Sequence, residues 1–289
     1  MKLVKDFDDY QIIDMDYGMK VEMWNNVCLK RPDPQIIWPS NNPYKGKIDA
    51  IYNRSNKGGG NWDIKNPKMP SSWQVKYHDL TFNLKLMSFK HTGLFPEQAY
   101  NWNMIIHKIK EAKREVKVLN LFAYTGAASM AALSAGASVC HVDSSRGMVD
   151  WAKENALACG LSDRPIRYIV DDCKKFVDRE IRRGNKYDII LMDPPSFGRG
   201  SNGQVWDIEK DLYPLVLACS QLLSDDPILF LINSYTTGLS MNVLEDVLKL
   251  CIKNKGYITS DELGLPVKNS DLVLPCGIFA RWEKEPYNE

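Results

Sequence analysis

The run Val118-Leu119-Asn120-Leu121-Phe122-Ala123-Tyr124-Thr125-Gly126 takes an apolar strand into a tight turn, and Asp143 follows seventeen positions after Gly126, closing a second apolar strand. Small residues suited to a helix lie between them. Strand, turn, helix, strand and terminal carboxylate make a βαβ unit, which commits the chain to parallel strands joined by a crossover helix. The carboxylate stands where such units meet ribose hydroxyls. A third signal, Asp193-Pro194-Pro195-Ser196-Phe197, follows the apolar strand 187–192.

The glycines separate two readings of this unit. A dinucleotide site uses G-x-G-x-x-G, because its helix start must approach a pyrophosphate closely. Here Gly126 is the turn's only glycine. A nucleoside cofactor without phosphate needs no such cradle. The order turn, Asp143, Asp-Pro-Pro therefore points to S-adenosylmethionine and methyl transfer, ahead of NAD and hydride transfer.

The rest of the chain extends this pattern. Strands are expected near 116–121, 138–142, 166–170, 187–192, 227–233, 257–263 and 277–282. Helices are expected near 97–113, 126–135, 145–158, 173–183, 207–223 and 240–254. That alternation implies an α/β, Rossmann-like doubly wound sheet, with ligands beyond the carboxyl ends of its strands. Residues 120–126, 143, 171–172, 193–197 and 233–237 all fall at such ends. Before residue 90 the pattern is different. Short stretches at 10–14, 19–24, 27–30, 36–38, 47–52, 74–77 and 81–87 read as strands, with Asp16-Tyr17-Gly18 as a hairpin turn and 57–61 as a loop. The expected division is a β-rich module over 1–89 and a cofactor-binding domain over 90–289.

Charge is unevenly spread. The chain carries a net +1, yet residues 40–90 hold nine basic and three acidic residues, a local +6. Tyr44, Tyr52, Trp62, Trp73 and Tyr77 lie among them, with Trp38 just before. Basic residues interleaved with aromatics suit nucleic acid, through phosphate attraction and base stacking. The same aromatics also suit the core of a small β module. The N-terminus has no apolar export core and no run approaches membrane-spanning length, so a cytoplasmic protein without membrane contact is expected. Seven scattered cysteines without a C-x-x-C pair fit reduced thiols, and no metal site is expected.

Residues 89–103, Phe-Lys-His-Thr-Gly-Leu-Phe-Pro-Glu-Gln-Ala-Tyr-Asn-Trp-Asn, together with the 119–126 turn and Asp193-Pro194-Pro195-Ser196-Phe197, resemble the class I S-adenosylmethionine-dependent methyltransferases. Within that class they are similar to the bacterial 23S rRNA large-subunit base methyltransferases, the cytosine-C5 enzymes and their relatives. The resemblance covers about residues 89–282. The preceding module resembles a short form without the RNA-binding PUA domain.

This likeness implies roles for particular residues. Asn120, Phe122, Ala123, Tyr124, Thr125 and Gly126 would face the methionine and ribose end of S-adenosyl-L-methionine. Asp143 would accept from the ribose hydroxyls, with Ser144 beside it. Asp172 would accept from the adenine amine, and the Cys173 backbone would meet the ring edge. Phe95, Glu97 and Gln98 match a segment packing over the methionine part. Plainer roles also stand: Asp143 as a helix cap, one of Asp171 and Asp172 as a cap, and Glu97 as a first-turn acid.

The chemistry rests on positioning. Asp193, Pro194 and Pro195 form a rigid turn that can aim a carboxylate and carbonyls at a planar nitrogen, and Phe197 can stack on a base. A rigid strand-end turn without ligand is the plainer reading. Cytosine-C5 methylation needs a cysteine nucleophile, because C5 is otherwise unreactive. In those relatives it follows the fifth strand, where this chain has Asn233-Ser234-Tyr235-Thr236-Thr237. Cys276 is left as a substitute or a structural thiol. The expected function is methylation of a base in ribosomal RNA, with RNA as partner. Alternatives are a small-molecule or protein acceptor, a non-catalytic RNA-binding factor, and, most distantly, a nicotinamide dehydrogenase.

Overall fold

The computed structural model describes residues 1–55, 59–199, 203 and 205–287. Two compact units divide the chain. One comprises Lys2–Tyr100 and Gly264–Cys276, and the other Met1, Asn101–Leu263 and Gly277–Glu289.

In the N-terminal unit, β1 (Lys2–Leu3) precedes a five-stranded sheet of β2 (Tyr10–Asp16), β3 (Met19–Trp24), β4 (Val27–Pro32), β5 (Ala50–Arg54) and β6 (Gly60–Ile64) in sequence order. β7 (Trp73–Tyr77) and β8 (Leu80–Leu84) form a separate hairpin. Tyr17 and Gly18, at φ 29° and 78°, make the expected β2–β3 turn. Two expectations fail here. Residues 36–38 form no strand, although Ile36 is buried and its carbonyl accepts from the Gly18 N–H. The loop expected at 57–61 instead starts β6 at Gly60, where a Cβ would sit 2.2 Å from the Asn53 carbonyl. That glycine permits close strand pairing. Lys57 and Gly58 of that loop lie outside the described residues.

The C-terminal unit is the α/β part. Its elements are α1 (Ala99–Ala112, beginning in the other unit), β9 (Lys117–Leu121), α2 (Ala127–Ser134), β10 (Ser138–Asp143), α3 (Arg146–Ala158) and β11 (Ile166–Val170). They continue with α4 (Cys173–Arg183), β12 (Ile189–Met192), β13 (Phe197–Arg199), β14 (Val205–Asp207), α5 (Ile208–Ser220), β15 (Leu229–Ser234) and α6 (Met241–Cys251). β16 (Tyr257–Pro266) and β17 (Val273–Glu283) close the chain. Seven strands lie in the order β16-β17-β15-β12-β9-β10-β11, parallel from β15 to β11, with β17 antiparallel to β15. All four β12 residues are buried, as a strand covered on both faces requires. Leu119, Phe176, Ile190, Val216 and Phe230 belong to the core between the sheet and its helices.

Register decides where the strands end. Leu121 pairs with Val142 and Met192, Asp143 with Val170, and Met192 with Ile232. Strand order reverses at β9, so the switch point lies beside Leu121. Phe122, Asp143, Asp171, Asp193 and Asn233 therefore stand at or just beyond the carboxyl ends of their strands, along one sheet edge.

The sequence placed the domain boundary at 89–90, but the units part between Tyr100 and Asn101, and residues 264–276 join the N-terminal unit. There Val267 bridges Ile12, and the Lys268 N–H donates to the Ile12 carbonyl. A contact between positions so far apart leaves no mark on local composition. The β13–β14 hairpin was not foreseen either.

Candidate functional site

The turn after β9 is shaped by left-handed backbone. Phe122, Tyr124 and Gly126 have φ of 54°, 51° and 86°. Two of these are strained non-glycine residues, which a ligand-binding turn often holds in place. Gly126 has no space for a side chain, since a Cβ would lie 2.9 Å from Ala152 Cβ.

Buried polar groups hold this turn. Asn120 Nδ2 donates to Ser129 Oγ at 3.0 Å, and Ser129 Oγ meets His141 Nδ1 at 3.0 Å. Asn155 Nδ2 donates to the Thr125 carbonyl at 2.8 Å. Burial pushes His141 down to about 4, so it is neutral near pH 7. Asn120, Ala123 and Thr125 are buried, whereas Phe122 and Tyr124 are half-buried. Asn120 therefore supports the turn through its amide. The sequence reading missed Ser129 and Asn155 as supports. Their signal is a polar residue on the buried face of an otherwise apolar helix.

Asp143 ends β10 half-buried. Its Oδ2 accepts from the Tyr124 N–H at 2.9 Å and its Oδ1 from the Ser145 N–H at 2.8 Å. Burial raises its pKa above the ordinary carboxylate value, against the two N–H donors. Ser144 beside it is exposed. Asp143 thus joins the turn to the start of α3 as an acceptor-only group.

The start of α4 resolves the neighbouring aspartates. Asp172 Oδ1 caps the helix, accepting from the Lys175 N–H at 3.0 Å. Asp171 accepts from the Asp172 N–H and pairs with Arg179. Cys173 is buried, with Sγ accepting from the Phe122 N–H at 3.4 Å. Burial pushes its thiol well up, so it remains protonated.

After β12, Asp193 is half-buried, Pro194 is buried, and Pro195 is exposed with Phe197. The Pro195 carbonyl accepts from Trp206 Nε1 at 2.6 Å, and Trp206 packs on Phe122 at 5.0 Å between ring centroids. Ser196 Oγ meets Thr236 Oγ1 at 2.7 Å, tying this loop to the end of β15. Residues 120–126, 143, 172–173 and 193–197 thus share one strand-end edge.

Phe95 and Gln98 belong to the N-terminal unit. Phe95 precedes a 3₁₀ turn, Pro96–Gln98, and α1 starts only at Ala99, two residues later than expected. Glu97 and Gln98 are buried there, and the Phe95 ring lies 5.3 Å from that of His91. Burial, then Arg31, Lys90 and Lys20, push His91 down to about 4.

Among the described residues, no helix is long and apolar enough to cross a membrane, and no three His, Cys, Asp or Glu side chains cluster as metal ligands.

A family model described as S-adenosylmethionine-dependent methyltransferase matches residues 51–246. The chain belongs to this family. A solved S-adenosylmethionine-dependent methyltransferase from Agrobacterium tumefaciens is 34% identical, with a TM-score of 0.93, covering 98% of this chain and 92% of that one. Two curated relatives are named ribosomal RNA large subunit methyltransferase K/L. That of Shewanella sediminis is 32% identical, covering 85% of this chain and 34% of its own length. That of Pseudoalteromonas atlantica is 39% identical over 45% of this chain and 18% of its own length. The chain therefore spans about a third or less of these relatives.

The residues present fit the family's cofactor. A half-buried carboxylate with no ion pair among the described residues stands at the switch point, beside a turn without a phosphate cradle. This suits the ribose hydroxyls of a nucleoside. Asp143→Ala is therefore expected to weaken S-adenosylmethionine binding at least about tenfold, from about 1.5–3 kcal/mol per charge-assisted hydrogen bond. In the unaltered protein affinity should fall as pH drops, starting above the ordinary aspartate range, because the raised pKa removes the carboxylate early. Unchanged affinity of the folded variant in calorimetry would refute the assignment.

Proposed function

We propose that the protein transfers a methyl group from S-adenosylmethionine to a base of large-subunit ribosomal RNA. The observation carrying the transfer is the strand register, which aligns the Asp143 and Asp193 loops on either side of the 120–126 turn. Names of the K/L relatives support the ribosomal acceptor.

Each group then has a task. S-adenosylmethionine supplies a sulfonium methyl already activated for in-line displacement. Asp143 accepts from ribose hydroxyls, Asp172 takes the adenine amine on the oxygen its cap leaves free, and the 120–126 backbone lines the methionine end. Asp193 holds an acceptor N–H, with Pro194 and Pro195 fixing its backbone, and exposed Phe197 offers a stacking face. The finer cytosine-C5 reading has no support here. The 233–237 stretch at the end of β15 holds no cysteine, and burial pushes the Cys276 and Cys173 thiols well up, which disfavours the thiolate that attack needs.

The N-terminal unit offers charge for RNA, whereas three of its aromatics are committed to packing or to backbone hydrogen bonds. Tyr52 and Tyr77 are buried, and Trp62 Nε1 donates to the Met87 and Phe89 carbonyls. At Tyr52 and Tyr77 the expected stacking is thus replaced by core filling. Arg54 and Lys68 are exposed, while Lys65 is paired with Asp63.

The test incubates the protein and labelled S-adenosylmethionine with unmodified ribosomal RNA, protein and metabolite fractions. Label is expected in the RNA, and label only in another fraction overturns the acceptor. Replacing Arg54 and Lys68 by glutamine should weaken RNA binding and reduce its salt slope by about 0.7–0.9 per lost phosphate contact. Undiminished binding would return this surface to a purely structural role.

A further inference from the structure

The β13–β14 hairpin carries a side chain that neither the sequence nor the cofactor assignment uses. We propose that Trp206 is a positioning residue for methyl transfer, fixing the Asp-Pro-Pro turn against the cofactor-facing turn. This rests on the methyl-transfer reading above.

A turn of two prolines is hard to anchor. Neither Pro194 nor Pro195 has a backbone N–H, so each is held through its carbonyl or its ring. Trp206 provides the carbonyl hold on Pro195, and its strand partner lies against the ring. Its Nε1–H donates to the Pro195 carbonyl at 2.6 Å. Its strand partner is Gly198, whose added Cβ would lie 3.5 Å from Pro195 Cγ and 3.8 Å from Trp206 Cβ, so the hairpin folds closely onto the proline. On its other side the indole packs against Phe122 at 5.0 Å with a 59° tilt. Phe122 has φ 54°, a strained conformation that such a cover helps to hold.

The hairpin is itself braced. The Ile208 N–H donates to the Ser196 carbonyl at 3.1 Å. Asp207 caps α5 through the Glu209 N–H, and Asp211 accepts from the Asp207 N–H at 2.9 Å. One indole therefore sets the spacing between the loops after β9 and β12. Asp193 stands in the second of these loops. Transfer depends steeply on such spacing, because the reacting atoms must be held near contact and in line.

Trp206→Phe keeps the ring against Phe122 and removes the donor. Its melting temperature should stay within a few degrees, and its S-adenosylmethionine affinity within about twofold. Its kcat on unmodified ribosomal RNA should fall about tenfold, with little change in KM. Trp206→Ala should lose affinity for the cofactor as well. An unchanged kcat in Trp206→Phe, or a parallel fall of kcat, affinity and melting temperature, overturns the proposal.

A second readout needs no acceptor. In protein labelled with ¹⁵N-indole, the cross-peak missing from Trp206→Phe identifies Trp206. Its proton should exchange slowly for a half-exposed tryptophan, and adding S-adenosylmethionine should shift the peak through Phe122. Free exchange, or a peak indifferent to the cofactor, overturns the proposal. If the unaltered protein labels no RNA, the ribosomal reading fails, and the indole signals still decide the role of Trp206.

Discussion

Asp193→Ala is expected to lower methyl transfer by about 10²–10⁴-fold, the range typical of a positioned acid–base group, while leaving S-adenosylmethionine affinity within about twofold. The separation follows from the sheet. Asp193 follows β12, whereas Asp143 closes β10, with β9 between them. The aspartate is half-buried, and its loop is fixed by Pro194, Pro195, the Trp206 bond and the Ser196–Thr236 pair. Removing the carboxylate therefore takes away an acceptor contact while the Trp206 and Ser196 holds on the turn remain. Single-turnover rates and calorimetry on the same preparation measure the two effects. A variant that loses affinity and rate together would place Asp193 in cofactor binding instead.

Cys276→Ala provides the control. Its thiol donates to the Leu274 carbonyl at 3.4 Å, and burial, then Glu97, push its pKa well up. Activity should persist in this variant. An inactive Cys276→Ala, with covalent trapping on 5-fluorocytosine RNA, would restore the cysteine mechanism.

Much of this site was legible because strand ends are written locally. The 118–126 run, Asp143 and Asp193-Pro194-Pro195 each join an apolar strand to polar or rigid residues. Parallel topology then brings such ends to one edge whatever lies between. Trp206 was not legible. No element is expected over residues 198–206, and its worth lies in touching Pro195 and Phe122, neither of them a close neighbour in sequence. The aromatics of 40–90 were visible but ambiguous, since one tyrosine serves a β core or a base equally well. Only burial separated those uses at Tyr52 and Tyr77. Asp172 shows the same limit, because a helix cap and an adenine contact require the same residue at the same place.

Glu22→Gln is expected to destabilise the N-terminal unit by about 3–5 kcal/mol, the cost of leaving a buried cation without its counter-charge. Glu22 lies in β3 with no exposed surface. It accepts from Tyr10 Oη at 2.6 Å, Arg31 Nε at 2.5 Å and Arg31 Nη2 at 2.7 Å, with Lys20 Nζ at 3.6 Å. Burial works to raise its pKa, but Arg31 and Lys20, helped by the Arg31 and Tyr10 hydrogen bonds, bring it down to about 2. The unfolded chain binds this proton at the ordinary glutamate value of 4.5. Between these values the unfolded state holds more protons, so stability rises with pH. The contribution is complete above about pH 4.5 and is lost as the medium is acidified toward pH 2, roughly 3 kcal/mol in all. Glu22→Gln should flatten this acid limb. Amide hydrogen exchange in β2, β3 and β4 reads this unit separately from the rest of the chain. A loss below about 1 kcal/mol at pH 7, or an acid limb as steep as before, would show that the pair contributes little. Its place in the fold argues otherwise. Arg31 Nη1 also donates to the Lys90 carbonyl at 3.0 Å, so the buried pair fixes the segment leading to Phe95 and Gln98.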